Sequence, residues 1–215
     1  MILTRVQELI GGIYDLGVGY DVYDFLVTDR AQLPEGMRAR QSEEDLIVAQ
    51  AGDEMAVSLY LDAGLLERLA RADPMVRLDE GNVADWWIAL EGVSHFLYLA
   101  FNAAHDRAVS LLELEMQAEV DKYVASFWLL REQCPQRFPA ELRRLLFERT
   151  HIDPELAGER AALYRHASGY AQRFCGRLEQ LLHGPHGGQA VVLAELRRFY
   201  RYSNARKRSH IERLA

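Results

Sequence analysis

Apolar residues recur at helical spacing over Leu3, Val6, Leu9, Ile10, Ile13 and Leu16, which predicts an amphipathic first helix over 3–16, ended by Gly17 and Gly19. Tyr20–Thr28 is rich in aromatic and β-branched residues and reads as a strand. The polar stretch that follows reads as a loop. Asp45–Gln50 and Met55–Leu61, two β-favouring runs joined by Ala-Gly-Asp-Glu, predict a hairpin. Asp62 then caps a short helix over 63–71 that ends before Asp73-Pro74.

From Asn82 onward every periodic segment is helical. Asn82–Ala104 and Ser110–Leu130 are joined by a short loop, and Ser110 with Glu113 forms a capping box. Pro139 stands at the start of a further helix, and Asp153-Pro154 opens a long one running to about Leu182. His183-Gly-Pro-His-Gly-Gly188 breaks the chain before segments over 190–202 and 204–214. The expected fold is α+β and helix-dominated. A small N-terminal α/β part (1–75) with about three short antiparallel strands precedes an antiparallel helical bundle (76–215) with a basic tail.

The two central helices are apolar almost all the way round, yet each carries a polar stripe. On the first it is Glu91, Ser94, His95, Tyr98 and Asn102; on the second it is Glu115, Glu119, Lys122 and Ser126. A helix apolar on its other faces is buried, and buried charge is costly unless paired or used. An antiparallel αα-hairpin about this loop sets opposite one another residues whose numbers sum to about 214. His95 then faces Glu119, Glu91 faces Tyr123, and Tyr98 faces Met116 with Glu115 nearby. The candidate site residues are therefore Glu91, His95, Glu115, Glu119, Tyr98 and Lys122. A carboxylate beside a buried histidine suits general acid–base work, and Glu/His clusters build metal sites in bundles. The chain offers one Glu-x-x-x-His and no second copy, so no metal and no cofactor is expected. Neither a nucleophile nor a phosphate-binding loop accompanies the stripe. A satisfied network that fixes helix register is the plainer reading.

Composition narrows the classes further. Two distant cysteines, Cys134 and Cys175, make neither a disulfide framework nor a zinc site. The N-terminus lacks the pattern of a signal peptide, and the most apolar segment, Trp86–Phe101, carries Glu91 and His95. A cytoplasmic protein without membrane contact is expected. Lys122 and Lys207 are the only lysines among 25 basic residues, a bias that fits a GC-rich bacterial genome. Net charge is −7, but the tail from Ala194 holds seven basic residues against two acidic ones, leaving −12 elsewhere. Arg197, Arg198, Arg201, Arg206, Lys207 and Arg208 are thus candidates for an anionic partner or nucleic acid. They can equally dock on the chain's own acidic surface. Arg144 with His151 and Arg160 with His166 match the spacing of a class of helical ribonucleases, but in so arginine-rich a chain about two such matches arise by chance. His183 and His186 lack further ligands, and Trp86, Trp87 and Trp128 read as core.

The expectation is a cytosolic, non-catalytic adaptor or regulatory protein working through protein partners or self-association. The alternatives are a metal-dependent or acid–base hydrolase at the Glu91/His95/Glu115/Glu119 stripe, and a nucleic-acid-binding regulator acting through the tail.

Overall fold

The computed structural model describes residues 1–52, 54–148, 158–184 and 187–213, and among these the chain is helix-dominated α+β. Helix α1 (Ile2–Tyr14) buries Leu3, Val6, Ile10 and Ile13 on one face. It stops ahead of the expected glycines because Asp15 takes the left-handed conformation at φ 56°, and the Leu16 amide closes the turn on the Gly11 carbonyl at 3.0 Å.

The strand expected over Tyr20–Thr28 is mostly a 3-10 turn, Val22–Phe25, followed by a two-residue strand β1 (Leu26–Val27). Asp21 overrides the β propensity of its neighbours: its carboxylate accepts the Tyr23 amide at 3.0 Å and its carbonyl the Asp24 amide. The expected loop holds another short 3-10 turn and one turn of helix, α2 (Glu35–Arg38). Strands β2 (Glu44–Ala51) and β3 (Glu54–Leu61) form the expected hairpin, with Gly52 at φ 63° in its turn. The sheet order is β1-β3-β2, and β1 pairs parallel to β3. The sheet is therefore mixed, not the three antiparallel strands expected. β1 and β3 are not joined by a hairpin turn, so the chain path does not force them to be antiparallel.

Asp62 caps α3 (Ala63–Arg71), accepting the Gly64 amide at 2.8 Å. Helices α4 (Val83–Ala103) and α5 (Leu111–Gln133) follow, and Ser110 Oγ accepts the Glu113 amide at 3.3 Å. Helix α6 (Leu142–Glu148) starts three residues after Pro139, whose carbonyl receives the Leu142 amide. Helix α7 is described over Gly158–His183; the expected Asp153-Pro154 start lies outside the described residues. Helices α8 (Gln189–Tyr200) and α9 (Asn204–Glu212) complete the chain. One apolar cluster extends from Leu3 on α1, through Trp86, Leu90 and Val93 on α4 and Phe174 on α7, to Ile211 on α9. Helices α4 and α5 run through its middle, which is why their polar residues lie inside the molecule.

Candidate functional site

Side chains alternate across a strand, and the face of the hairpin turned to α4 carries the paired residues Glu44 and Leu61, then Leu46 and Leu59. Gly92 sits where α4 meets that face. A Cβ there would come within 2.9 Å of Leu59 Cδ1, 3.0 Å of Glu44 Cγ and 3.2 Å of Leu61 Cδ2. The bare glycine lets sheet and helix close, and that closure delivers Glu44 to His95, one turn further along α4.

His95 lies between two carboxylates from different elements. Its Nδ1 is 3.3 Å from Glu44 Oε1 and its Nε2 is 3.6 Å from Glu115 Oε2. Glu91, one turn back on α4, is held by Lys122 Nζ at 2.5 Å, and the same ammonium donates to Glu119 at 2.8 Å. Burial pulls the His95 imidazole down, but the flanking carboxylates of Glu115 and Glu44 outweigh it and hold the ring well above its ordinary range. Burial pushes Glu44 up. Glu91 ends below its usual range, because Lys122 and His95 overcome the cost of burial. Glu119 and Glu91 likewise overcome burial at Lys122 and keep it charged. Among the described residues, four carboxylates thus share one ammonium and one imidazole at the seam of β2, α4 and α5, and Tyr164 of α7 hydrogen-bonds Glu115 from outside.

A second polar group lies on the other side of α5, facing α1 and α9. Asp121 accepts Tyr14 Oη and Ser94 Oγ, each at 2.5 Å, and Gln117 Nε2 at 2.8 Å. Tyr98 Oη donates to Glu113 at 2.6 Å. Lys207 of α9 is fully buried there, with Nζ 2.6 Å from Gln117 Oε1 and 4.3 Å above the Tyr98 ring. Burial pushes Asp121 up to about 6 and Lys207 down to about 7. Ser126, the last member of the stripe, takes the indole N–H of both Trp86 and Trp87.

Of the six stripe candidates, the fold gathers Glu91, His95, Glu115, Glu119 and Lys122 on the sheet side and turns Tyr98 to the other group. The pairing differs from the expected one. His95 meets Glu115, not Glu119, and Glu91 meets Lys122, not Tyr123. Ser94 meets Asp121 and Glu91 meets Lys122, each within about one residue of the expected register, so α5 is not displaced by a turn. His95 reaches Glu115 through the direction and length of the two side chains. Glu44, Asp121, Gln117 and Tyr14 were missed. A polar row at Glu113, Gln117 and Asp121, spaced by four on α5, was the visible signal for the second group. Nothing local pointed to Glu44.

The basic tail is largely engaged within the molecule. Arg197 donates to the Ile13 and Gly12 carbonyls, and Arg201 to those of Tyr14 and Asp15, so the two guanidiniums close the C-terminus of α1. Arg198 pairs with Glu195. Arg206 lies over Tyr202, Arg208 over Tyr170, and Lys207 is interior. Arg160 and His166 are exposed on α7, while His151 and His186 lie outside the described residues. No known family, curated protein or solved structure matches this chain. Among the described residues no helix is long and apolar enough to cross a membrane.

Proposed function

We propose that this protein works through protein–protein contact, as a cytosolic bacterial adaptor or regulatory subunit that self-associates through its β-hairpin. One observation carries the reading. Among the described residues, the outer half of the hairpin leaves part of its apolar side exposed. The row that begins with Leu46 and Leu59 over the core continues outward as Val48 paired with Val57 and Gln50 paired with Met55. Val48 is 47% exposed and Met55 41%. Met55 and Val57 also line a cavity of about 290 Å³ with Tyr20, Phe25, Phe96 and Ala100.

The strand edge supports the same reading. β2 is one of the two edge strands of the sheet, and beyond Glu44 and Asp45 its remaining residues, Leu46–Ala51, contain neither charge nor proline. Monomeric proteins protect such an edge with charged residues, proline or a covering element, because its unpaired N–H and C=O groups template another strand. A second copy pairing edge to edge would satisfy those groups and cover Val48.

Sedimentation velocity between about 1 and 100 µM tests this. The natural chain is expected to show a concentration-dependent dimer, and Val48→Lys and Gln50→Pro, checked for fold by circular dichroism, a monomer. A natural chain that stays monomeric over this range contradicts self-association.

A further inference from the structure

The contacts of His95 have an unusual length. A charge-assisted N–H···O⁻ bond closes to about 2.7–2.9 Å, yet Nδ1 stands 3.3 Å from Glu44 and Nε2 stands 3.6 Å from Glu115. The ring is only 5% exposed, and Nε2 faces Glu115 as an ion pair without coming within hydrogen-bond distance of any described residue. A buried polar atom left in that state demands a reason.

Metal geometry supplies one. Bonds of 2.0–2.2 Å to nitrogen and carboxylate oxygen put neighbouring ligand atoms about 3.0–3.5 Å apart. The spacing of Nδ1 and Glu44 Oε1 falls in that range. One ligand atom each from Glu44, Glu91 and His95 lies within 4.8 Å of the other two. Lys122 holds Glu91 through Oε2. Charge points the same way, since among the described residues four carboxylates at this seam face one ammonium and one imidazole, with Tyr164 hydrogen-bonded to Glu115 and Arg160 beyond it. Solvent reaches the rim, where the side chains of Glu91, Glu119 and Glu44 are 24%, 16% and 13% exposed.

We propose that Glu44, Glu91 and His95 form a binding site for a divalent first-row transition ion, with Glu115 as the partner that orients the histidine. Coordination through Nδ1 fixes the ring proton on Nε2, where it points at Glu115. The orphaned nitrogen thereby gains its acceptor, in the carboxylate–histidine–metal arrangement. Two carboxylates and one imidazole suit Mn²⁺ or Zn²⁺ better than the all-oxygen shells of Ca²⁺ and Mg²⁺. Three protein ligands leave coordination positions for water or a substrate atom. Lys122 is the internal competitor, because its ammonium neutralises Glu91 and Glu119 where an ion would otherwise do so.

The test is calorimetric titration of the full chain, freed of metal by chelator, with MnCl₂ and with ZnCl₂. One ion per chain is expected for at least one of them. Glu44→Gln should weaken binding a hundredfold or more. Glu115→Gln should weaken it about ten- to a hundredfold. Lys122→Met should tighten it even though it lowers stability, a combination that general damage to the fold does not produce. Circular dichroism of Glu44→Gln confirms that its loss is local. Failure of the natural chain to bind either ion stoichiometrically overturns the proposal. So does a Glu44→Gln chain that binds as tightly as the natural one.

Discussion

Glu44 reaches His95 because Gly92 carries no side chain: a Cβ at position 92 would stand 3.0 Å from Glu44 Cγ and 2.9 Å from Leu59 Cδ1. A mid-helix glycine costs about 1 kcal/mol in helix propensity relative to alanine, and here the close approach of sheet and helix offsets it. Gly92→Ala recovers that propensity but overpacks the seam, at about 1–3 kcal/mol. A net loss on the order of 1 kcal/mol is expected in urea unfolding, together with weaker ion binding, because the hairpin is pushed off α4.

Lys122 holds Glu91 and Glu119 together inside the bundle. Lys122→Met strands two carboxylates of which only small fractions reach water. A loss on the order of 2–3 kcal/mol is expected. Adding Glu91→Gln and Glu119→Gln to the same chain should restore most of it, measured by equilibrium denaturation. A triple variant no more stable than Lys122→Met would show that lost packing, not uncompensated charge, is the cause.

Lys207 makes stability depend on pH. Its folded value of about 7 lies below the ordinary 10.5, so between these the unfolded chain binds more protons and stability rises with pH. Asp121 works in another window. Its folded value of about 6 lies above 3.8, so its contribution is present below pH 3.8 and is lost as pH rises through 6. The Lys207 contribution to unfolding free energy therefore rises from pH 7 to pH 10 by on the order of 3 kcal/mol. Against it stand the losses from His95 and Cys175, whose folded values are raised. The natural chain is thus expected to gain stability over this range relative to Lys207→Met. An equal change in the variant would place the titration elsewhere.

The tail arginines are expected to act as helix caps. Arg201→Ala removes donors to the Tyr14 and Asp15 carbonyls at the end of α1. A loss of about 1 kcal/mol and faster amide exchange in the last turn of α1 should follow.

What was legible in the sequence follows from the range of each interaction. The capping box at Ser110, the polar stripes and the hairpin are local patterns, and they placed α4, α5, β2 and β3 to within a few residues. Asp21 was a local signal too, but the aromatic and β-branched residues around it masked its turn. Glu44 is different. Its role depends on which hairpin face packs on α4 and on how close Gly92 lets it come, and both are tertiary facts. Lys207 is similar, since only the docking of α9 against Tyr98 and Phe199 turns a tail lysine into an interior one. The His95 partner differs from the expected one by a turn although the register is close to the expected one at Ser94 and Asp121, because the reach of long side chains is not fixed by helix register.

The central claim is that the polar residues of α4 and α5 join Glu44 in an ion-binding centre and do not serve only to hold the helices in register. Thermal unfolding of the natural chain and of Glu44→Gln, each across a concentration series of ZnCl₂ and MnCl₂, tests it most directly. The natural chain is expected to gain stability with ion concentration, reaching about 2.7 kcal/mol at a hundredfold excess over Kd, while Glu44→Gln gains none. Melting curves that do not move with either ion, or that move equally in both chains, would contradict it.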